Sequence, residues 1–204
     1  MITVYGVARS RAMRVLWMLE ELGVPYEHVP TPFANGGART PELLRINPNG
    51  HVPALVDGQT TLFESLAINL YLARKYGQGL WPRSVEDEGR TYQWSIWAMT
   101  ELEEPIVTAL IHRALRPETE RDVAKGADAA QRAAKPLAVL DGALSDRPYL
   151  LGDGFTVSDL NVASVLALAP LARIDLEAFA AVRGWNARCC ARPAYDRVRE
   201  LQRS

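Results

Sequence analysis

The chain has 204 residues and a mass of 22.6 kDa. That is enough for one large domain or two small ones, with a core that needs neither disulfide nor metal. Its 23 Lys and Arg against 24 Asp and Glu give a net charge of −1, which excludes the basic surplus of a nonspecific nucleic-acid binder. No apolar run reaches the ~18 residues a membrane span needs, and Arg9, Arg11 and Arg14 break what would be a signal peptide's core. The two cysteines, Cys189 and Cys190, are adjacent and form neither a CxxC pair nor a zinc pattern. No metal is expected, and so low a cysteine usage suits the reducing cytoplasm.

The first strand is expected at residues 2–5, a short β-rich run closed by Gly6. Ser10 precedes a helix in which Val15, Met18, Leu19 and Leu22 recur at helical spacing, stopped by Gly23 with Pro25 beyond it. Residues 26–29 read as a second strand and 31–40 as a loop; one or two helical turns follow at 41–45. The turn Asn47-Pro48-Asn49-Gly50 leads into two apolar runs, 52–56 and 60–63, around the hairpin signal Asp57-Gly58. Residues 64–76 form a helix apolar on two faces, hence sandwiched. The order β-α-β, loop, β-β-α predicts one mixed four-stranded sheet with helices on it.

A break begins at Gly77 and runs to about residue 85. The expected boundaries are therefore a first domain over 1–77, a linker over 78–85 and a second domain over 86–204. No convincing strand follows. Tyr92, Ile96, Met99, Glu103, Ile106 and Leu110 mark a long helix, kinked at Pro105. Another helix is expected over 117–144. Thr156 and Asp159 form a variant capping box with Phe155 and Leu160 as its staple. Helices over 176–190 and 193–201 complete an all-helical second half.

Three sites could carry chemistry. Ser10 stands where a strand gives way to a helix, as a cap for a free N–H or beside a bound anion or thiolate at the positive helix start. Pro53 opens an apolar strand and so belongs at a strand start or edge; a cis bond from Val52 would turn backbone polar groups toward a ligand. Glu64-Ser65 begins a helix directly after a strand. The pair serves either as a cap or as a clamp in which Ser65 holds a carboxylate and Glu64 an ammonium.

Taken together, these stretches resemble the cytosolic glutathione transferase family. The resemblance is carried by Ser10-Arg11-Ala12-Met13-Arg14-Val15-Leu16-Trp17 and by Asn47-Pro48-Asn49-Gly50-His51-Val52-Pro53. It extends through Phe63-Glu64-Ser65, Phe155-Thr156-Val157-Ser158-Asp159 and Ala191-Arg192-Pro193. It implies a thioredoxin-like domain followed by an all-helical one, a cis Val52–Pro53 bond, and glutathione as co-substrate without a metal. In that picture the Val52 amide pairs with the cysteinyl backbone, and Glu64 and Ser65 hold the γ-glutamyl end. His51 and Arg39 are placed for the glycyl carboxylate. The pattern is closer to the serine-type classes, which makes Ser10 the expected activator of the thiol and Tyr5, on the first strand, the alternative. Trp94, Trp97, Met99 and Ile111 are the expected apolar contacts of the second substrate. The resemblance further implies a homodimer acting on small electrophiles. Its alternatives are a non-catalytic glutathione-binding or protein-interaction module, and a glutathione-dependent peroxidase.

The energetics expected of such a site are modest. A free thiol of pKa ~8.5 is only ~3% thiolate at pH 7, and lowering it by about two units needs roughly 2.7 kcal/mol. A charge-assisted hydrogen bond from Ser10 is worth ~1.5–3 kcal/mol, and the helix start adds ~0.3–1 kcal/mol.

Overall fold

The computed structural model describes residues 1–34, 36–77 and 79–203. Asn35, in the loop expected over 31–40, Gln78, the first residue of the expected linker, and Ser204 lie outside the described residues. The elements in order are β1 (Ile2–Tyr5), α1 (Ala12–Leu22), β2 (Tyr26–Val29), α2 (Pro41–Ile46), β3 (Ala54–Asp57), β4 (Thr60–Phe63) and α3 (Ser65–Tyr76). Then come α4 (Val85–Trp97), α5 (Glu103–Leu110), α6 (Val123–Arg132), α7 (Ala134–Ala143), α8 (Val157–Leu166), α9 (Ala180–Cys190) and α10 (Pro193–Leu201).

The strands form one sheet in the order β2-β1-β3-β4. β1 runs parallel to β2 and antiparallel to β3, and β3 runs antiparallel to β4. This is the mixed sheet that the β-α-β and β-β-α patterns require. Ile2 and Val4 alternate inward from β1. Every residue of α1 from Ala12 to Leu19 is buried, Arg14 included, because α1 packs against β1, α3 and α10 at once. The hairpin turns through Gly58 and Gln59, with Asp57 paired to Thr60 as the last residue of β3. Asp57 is buried and accepts hydrogen bonds from Lys75 Nζ at 2.7 Å and from the hydroxyls of Tyr71 and Tyr76, each at 2.8 Å. The hairpin is thereby fastened to the end of α3.

Two compact units result: residues 1–81 with 191–204, and residues 82–190. The sequence places the last helix with the helical half; in the structure α10 belongs to the first unit. It buries Ala194 and Val198. Arg192 makes a bidentate pair with Glu21, both bonds 2.7 Å, Arg197 pairs with Glu20, and the Tyr195 ring lies 4.6 Å from that of Trp17.

In the second unit helical residues run unbroken from Val85 to Leu115. The kink expected at Pro105 takes the form of a π-helical turn, Ala98–Leu102, placed just before it. A proline ring clashes with the carbonyl four residues back, here that of Glu101, and the widened turn absorbs that conflict. A second π turn, Ile111–Leu115, ends the run. The helix expected over 117–144 is instead a short 3-10 turn, Glu118–Glu120, followed by α6 and α7. The break at Ala133 has the same cause, since Pro136 opposes the carbonyl of Arg132. The capping box forms as expected: the Thr156 amide donates to Asp159 at 2.9 Å. Asp159 is fully buried and also accepts from the Leu150 amide and from Trp185 Nε1, each at 2.9 Å. Among the described residues no helix is long and apolar enough to cross a membrane.

Candidate active site

Strand register gathers the candidate residues on one rim of the sheet. Tyr5, the last residue of β1, faces Ala54, the first of β3, and Ala54 faces Phe63, the last of β4. Three segments therefore leave the sheet side by side: Gly6 to Ser10, Val52-Pro53, and Glu64-Ser65. Gly6 is the junction of the first two. Its φ of +134° suits glycine, and a Cβ there would lie 2.7 Å from Ala12 Cβ and 3.0 Å from Val52 Cβ.

Ser10 is half-buried on a tightly bonded turn. Its amide and hydroxyl both donate to the Val7 carbonyl, at 2.9 and 2.7 Å. Its oxygen accepts the Ala12 amide at 3.1 Å. The serine thus supports the start of α1, and its one proton is engaged by a backbone oxygen. The Val7 amide donates to Thr31 O at 3.0 Å, and His28 Nε2 lies 2.8 Å from Gly6 O, so that ring nitrogen carries the proton.

The Val52–Pro53 bond is cis. The turn before it is built by Asn47, 2% exposed, whose Nδ2 donates to His51 O at 2.8 Å while its Oδ1 accepts the Asn49 amide at 3.1 Å. His51 is left exposed. Arg39 crosses the same turn: a Cβ on Gly50, at φ +63°, would stand 2.9 Å from Arg39 Cγ. The buried Ala38 and the cap that Thr40 supplies to the Leu43 amide at 3.3 Å hold that arginine in place. The two residues expected at a glycyl carboxylate are therefore brought to one turn.

Glu64 is exposed and adopts φ +69°, ψ 108°, a costly conformation for a residue with a side chain. Ser65 begins α3 and is 4% exposed. Beneath it lies a residue that sequence reasoning did not assign to the site. Arg14, 1% exposed, donates from Nη1 to Ser65 Oγ at 3.3 Å. Its carbonyl accepts Asn69 Nδ2 at 3.2 Å. A cation inside the apolar run Met13-Arg14-Val15-Leu16 was the available signal, because buried charges are paired.

Tyr5 packs with Ala38, Leu43 and Ala54 on the face of the sheet that carries α2. Burial raises its hydroxyl pKa, and the nearby carboxylates of Glu42 and Glu27 push it further up. Of the helical-unit residues expected to meet a second substrate, Trp94 is buried, with its ring edge-on to Trp97 at 5.1 Å. Trp97, Met99 and Ile111 are half-buried.

A βαβ–ββα unit with a cis proline opening β3 is a thioredoxin-like fold, and an all-helical unit follows it in the chain. Family models agree with that division. That of the glutathione S-transferase N-terminal domain matches residues 1–74, and that of the C-terminal domain matches residues 102–193. Glutathione S-transferase 3 of Zea mays is 34% identical over 207 residues, covering 95% of this chain and 91% of its own. The disulfide-bond oxidoreductase YfcG of Escherichia coli strain K12 is 30% identical over 202 residues, covering 95% and 92%. Among solved structures, the theta class glutathione S-transferase of Xanthomonas axonopodis pv. citri, with glutathione bound, superposes with a TM-score of 0.90. It is 34% identical and covers 96% of this chain and 95% of its own. Glutathione S-transferase-I bound with lactoylglutathione gives 0.88 at 31% identity, covering 98% and 99%. The chain belongs to the glutathione S-transferase family.

Proposed function

We propose that this protein binds glutathione along the rim of its sheet and ionises its thiol beside Ser10, with loss of the proton to solvent. It joins the intact glutathione thiolate through a new C–S bond to electrophilic apolar small molecules, displacing the leaving group of a halide, opening an epoxide or adding to an enal. The observation that carries this reading is the register that puts Ser10, Val52 and Ser65 on adjacent segments of one rim. The Val52 amide takes the cysteinyl backbone, Ser65 and Glu64 the γ-glutamyl carboxylate and ammonium, and Arg39 with His51 the glycyl carboxylate. Glutathione is the only co-substrate required.

Ser10 has one proton and two claimants for it. The Val7 carbonyl accepts it at 2.7 Å. A thiolate at the rim takes it by rotation about the Cβ–Oγ bond, while the Ala12 amide keeps its bond to the oxygen. A charged acceptor outcompetes a neutral one, since charge-assisted bonds are roughly twice as strong. The exchange leaves the thiolate a net ~1 kcal/mol or more from the hydroxyl. The positive start of α1 adds ~0.3–1 kcal/mol. Tyr5 is a poorer candidate, because Glu27 and Glu42 make its surroundings unfavourable to a second anion.

The compact unit that carries Ser10 contains no cysteine. A reductase reaction passing through a mixed disulfide with that unit has no protein sulfur to form it, which favours conjugation. Half-buried Trp97, Met99 and Ile111 are the proposed apolar contacts of the electrophile, with Trp94 as their support. A symmetric homodimer in the cytoplasm, acting on toxic electrophiles, completes the reading. The test pairs retention on immobilised glutathione with conjugation rates toward aromatic and alkyl halides, epoxides and enals. Retention with conjugation of at least one electrophile class is expected. Retention without conjugation of any would make the protein a binding module.

A further inference from the structure

The loop that carries Ser10 is fastened by the last described residues of the chain. Gln202 directly follows α10. Its side-chain Nε2 donates to the Ala8 carbonyl at 3.0 Å, and its own carbonyl accepts Arg9 Nε at 2.6 Å. One residue thus gives through its side chain and receives through its backbone, from the two residues that immediately precede Ser10. Gln202 is itself held, because its amide donates to Val198 O at 3.1 Å. α10 in turn is anchored to α1 by Arg192–Glu21 and Arg197–Glu20. On the opposite side the loop is tied to the end of β2 through Gly6 and Val7, whose amides donate to Val29 O and Thr31 O at 3.0 Å. Three successive carbonyls therefore have three different anchors: His28 for Gly6, Ser10 for Val7, Gln202 for Ala8.

We propose that Gln202 is a positioning residue for thiol activation, acting through Ala8 and Arg9 on Ser10. This rests on the reading that Ser10 ionises the thiol. With both sides of the loop fixed, delivery of the hydroxyl proton from Val7 O to sulfur needs rotation of a single bond. Without the Gln202 clamp, residues 8 and 9 relax between the fixed Val7 and α1, and the hydroxyl samples positions too far from sulfur to share its proton. Catalytic geometry is sensitive to displacements of this kind. Arg9, otherwise a surface charge, acquires a role as the second half of the clamp.

The test is the pH profile of kcat/KM with an aryl halide as electrophile, for wild type, Gln202→Met, Arg9→Met, the double variant and Ser10→Ala. At saturating glutathione, Gln202→Met is expected to raise the apparent pKa of the acid limb and to lower kcat/KM for the halide about fivefold near pH 6.5, the worth of one hydrogen bond. KM for glutathione and the melting temperature should stay close to wild type, which a general loss of folding would not allow. Arg9→Met should act in the same direction, and the double variant should be no worse than the stronger single one. Because Arg9 is exposed, its variant provides the readout even if Gln202→Met fails to fold. A profile shifted by Ser10→Ala but not by either clamp variant would refute the positioning role. A profile that Ser10→Ala leaves in place would instead refute the reading of Ser10 itself.

Discussion

Arg14 donates from Nη1 to Ser65 Oγ at 3.3 Å, and both residues are buried. The direction of this bond fixes the polarity of Ser65. With its oxygen accepting from a cation, its own proton is free to point to the rim, as a donor to a ligand carboxylate. The arginine thus stands behind the proposed γ-glutamyl clamp without touching the ligand. Arg14→Met keeps the aliphatic stem and removes the charge. It should weaken glutathione binding about tenfold, the worth of a hydrogen bond to a charged group. Ser65→Ala should cost a similar amount, and the double variant little more than either single one. Calorimetric titration checks this, and additive losses would show that Arg14 and Ser65 act independently.

Glu64 pays for its place on the rim with a φ of +69°. Such conformations cost about 1–3 kcal/mol and persist where the surroundings impose them. Glu64→Gly should therefore raise stability to chemical denaturation by about 1 kcal/mol. Glu64→Ala keeps the Cβ and should bring no such gain. Both should weaken glutathione binding, because both remove the carboxylate proposed for the ligand ammonium. Denaturant melts and calorimetry on the two variants separate the strain from the contact. Equal stability of the two would show that the backbone there is not strained.

Asp57 gives the fold a measurable acid limb. Burial by itself raises its pKa, but hydrogen bonds from Lys75, Tyr76 and Tyr71 outweigh this and hold the carboxyl below its ordinary range, near 3.9. A carboxylate depressed in the folded state stabilises in full above its unfolded pKa. That stability is lost as pH falls through its folded value. The wild-type denaturation midpoint should therefore fall as the pH drops below about 4, and Asp57→Asn should flatten that part of the curve. At neutral pH the variant should be less stable by about 1–3 kcal/mol, the cost of disrupting a buried charged hydrogen-bond acceptor. Parallel pH curves for the two proteins would place the acid limb elsewhere.

Much of the fold is legible in the sequence because its signals are local. The strands at 2–5, 26–29 and 60–63 follow from β-rich runs bounded by glycine and proline, and α1 from apolar spacing closed by Gly23. The capping box at Thr156 is equally local. What the sequence does not convey is long-range. Nothing near Arg192 or Arg197 indicates that they pair with Glu21 and Glu20, so α10 reads as part of the helical half. Nothing near Gln202 points to Ala8. Pro105 is legible as an interruption but not in form, and Pro136 is not read as one inside the helix expected over 117–144. Pro105 gives a π turn and Pro136 a helix break, because the neighbouring turns decide how the missing donor is accommodated. In the candidate site the positions of Ser10, Val52, Pro53, Glu64 and Ser65 are read directly from motif spacing. The shared turn of Arg39 and His51 depends on Gly50 and Asn47, and the burial of Arg14 depends on α3 and α10 closing over α1.

The central claim is that bound glutathione loses its thiol proton with help from the Ser10 hydroxyl. Its most direct test is the near-ultraviolet thiolate absorbance of glutathione saturating the enzyme, followed against pH for wild type, Ser10→Ala and Ser10→Thr. A bound thiol titrating at least about one unit below the free value of ~8.5 is expected in the wild type. The titration should move back by about one unit in Ser10→Ala and remain close to wild type in Ser10→Thr. A thiol that titrates at the same pH in wild type and Ser10→Ala would contradict it.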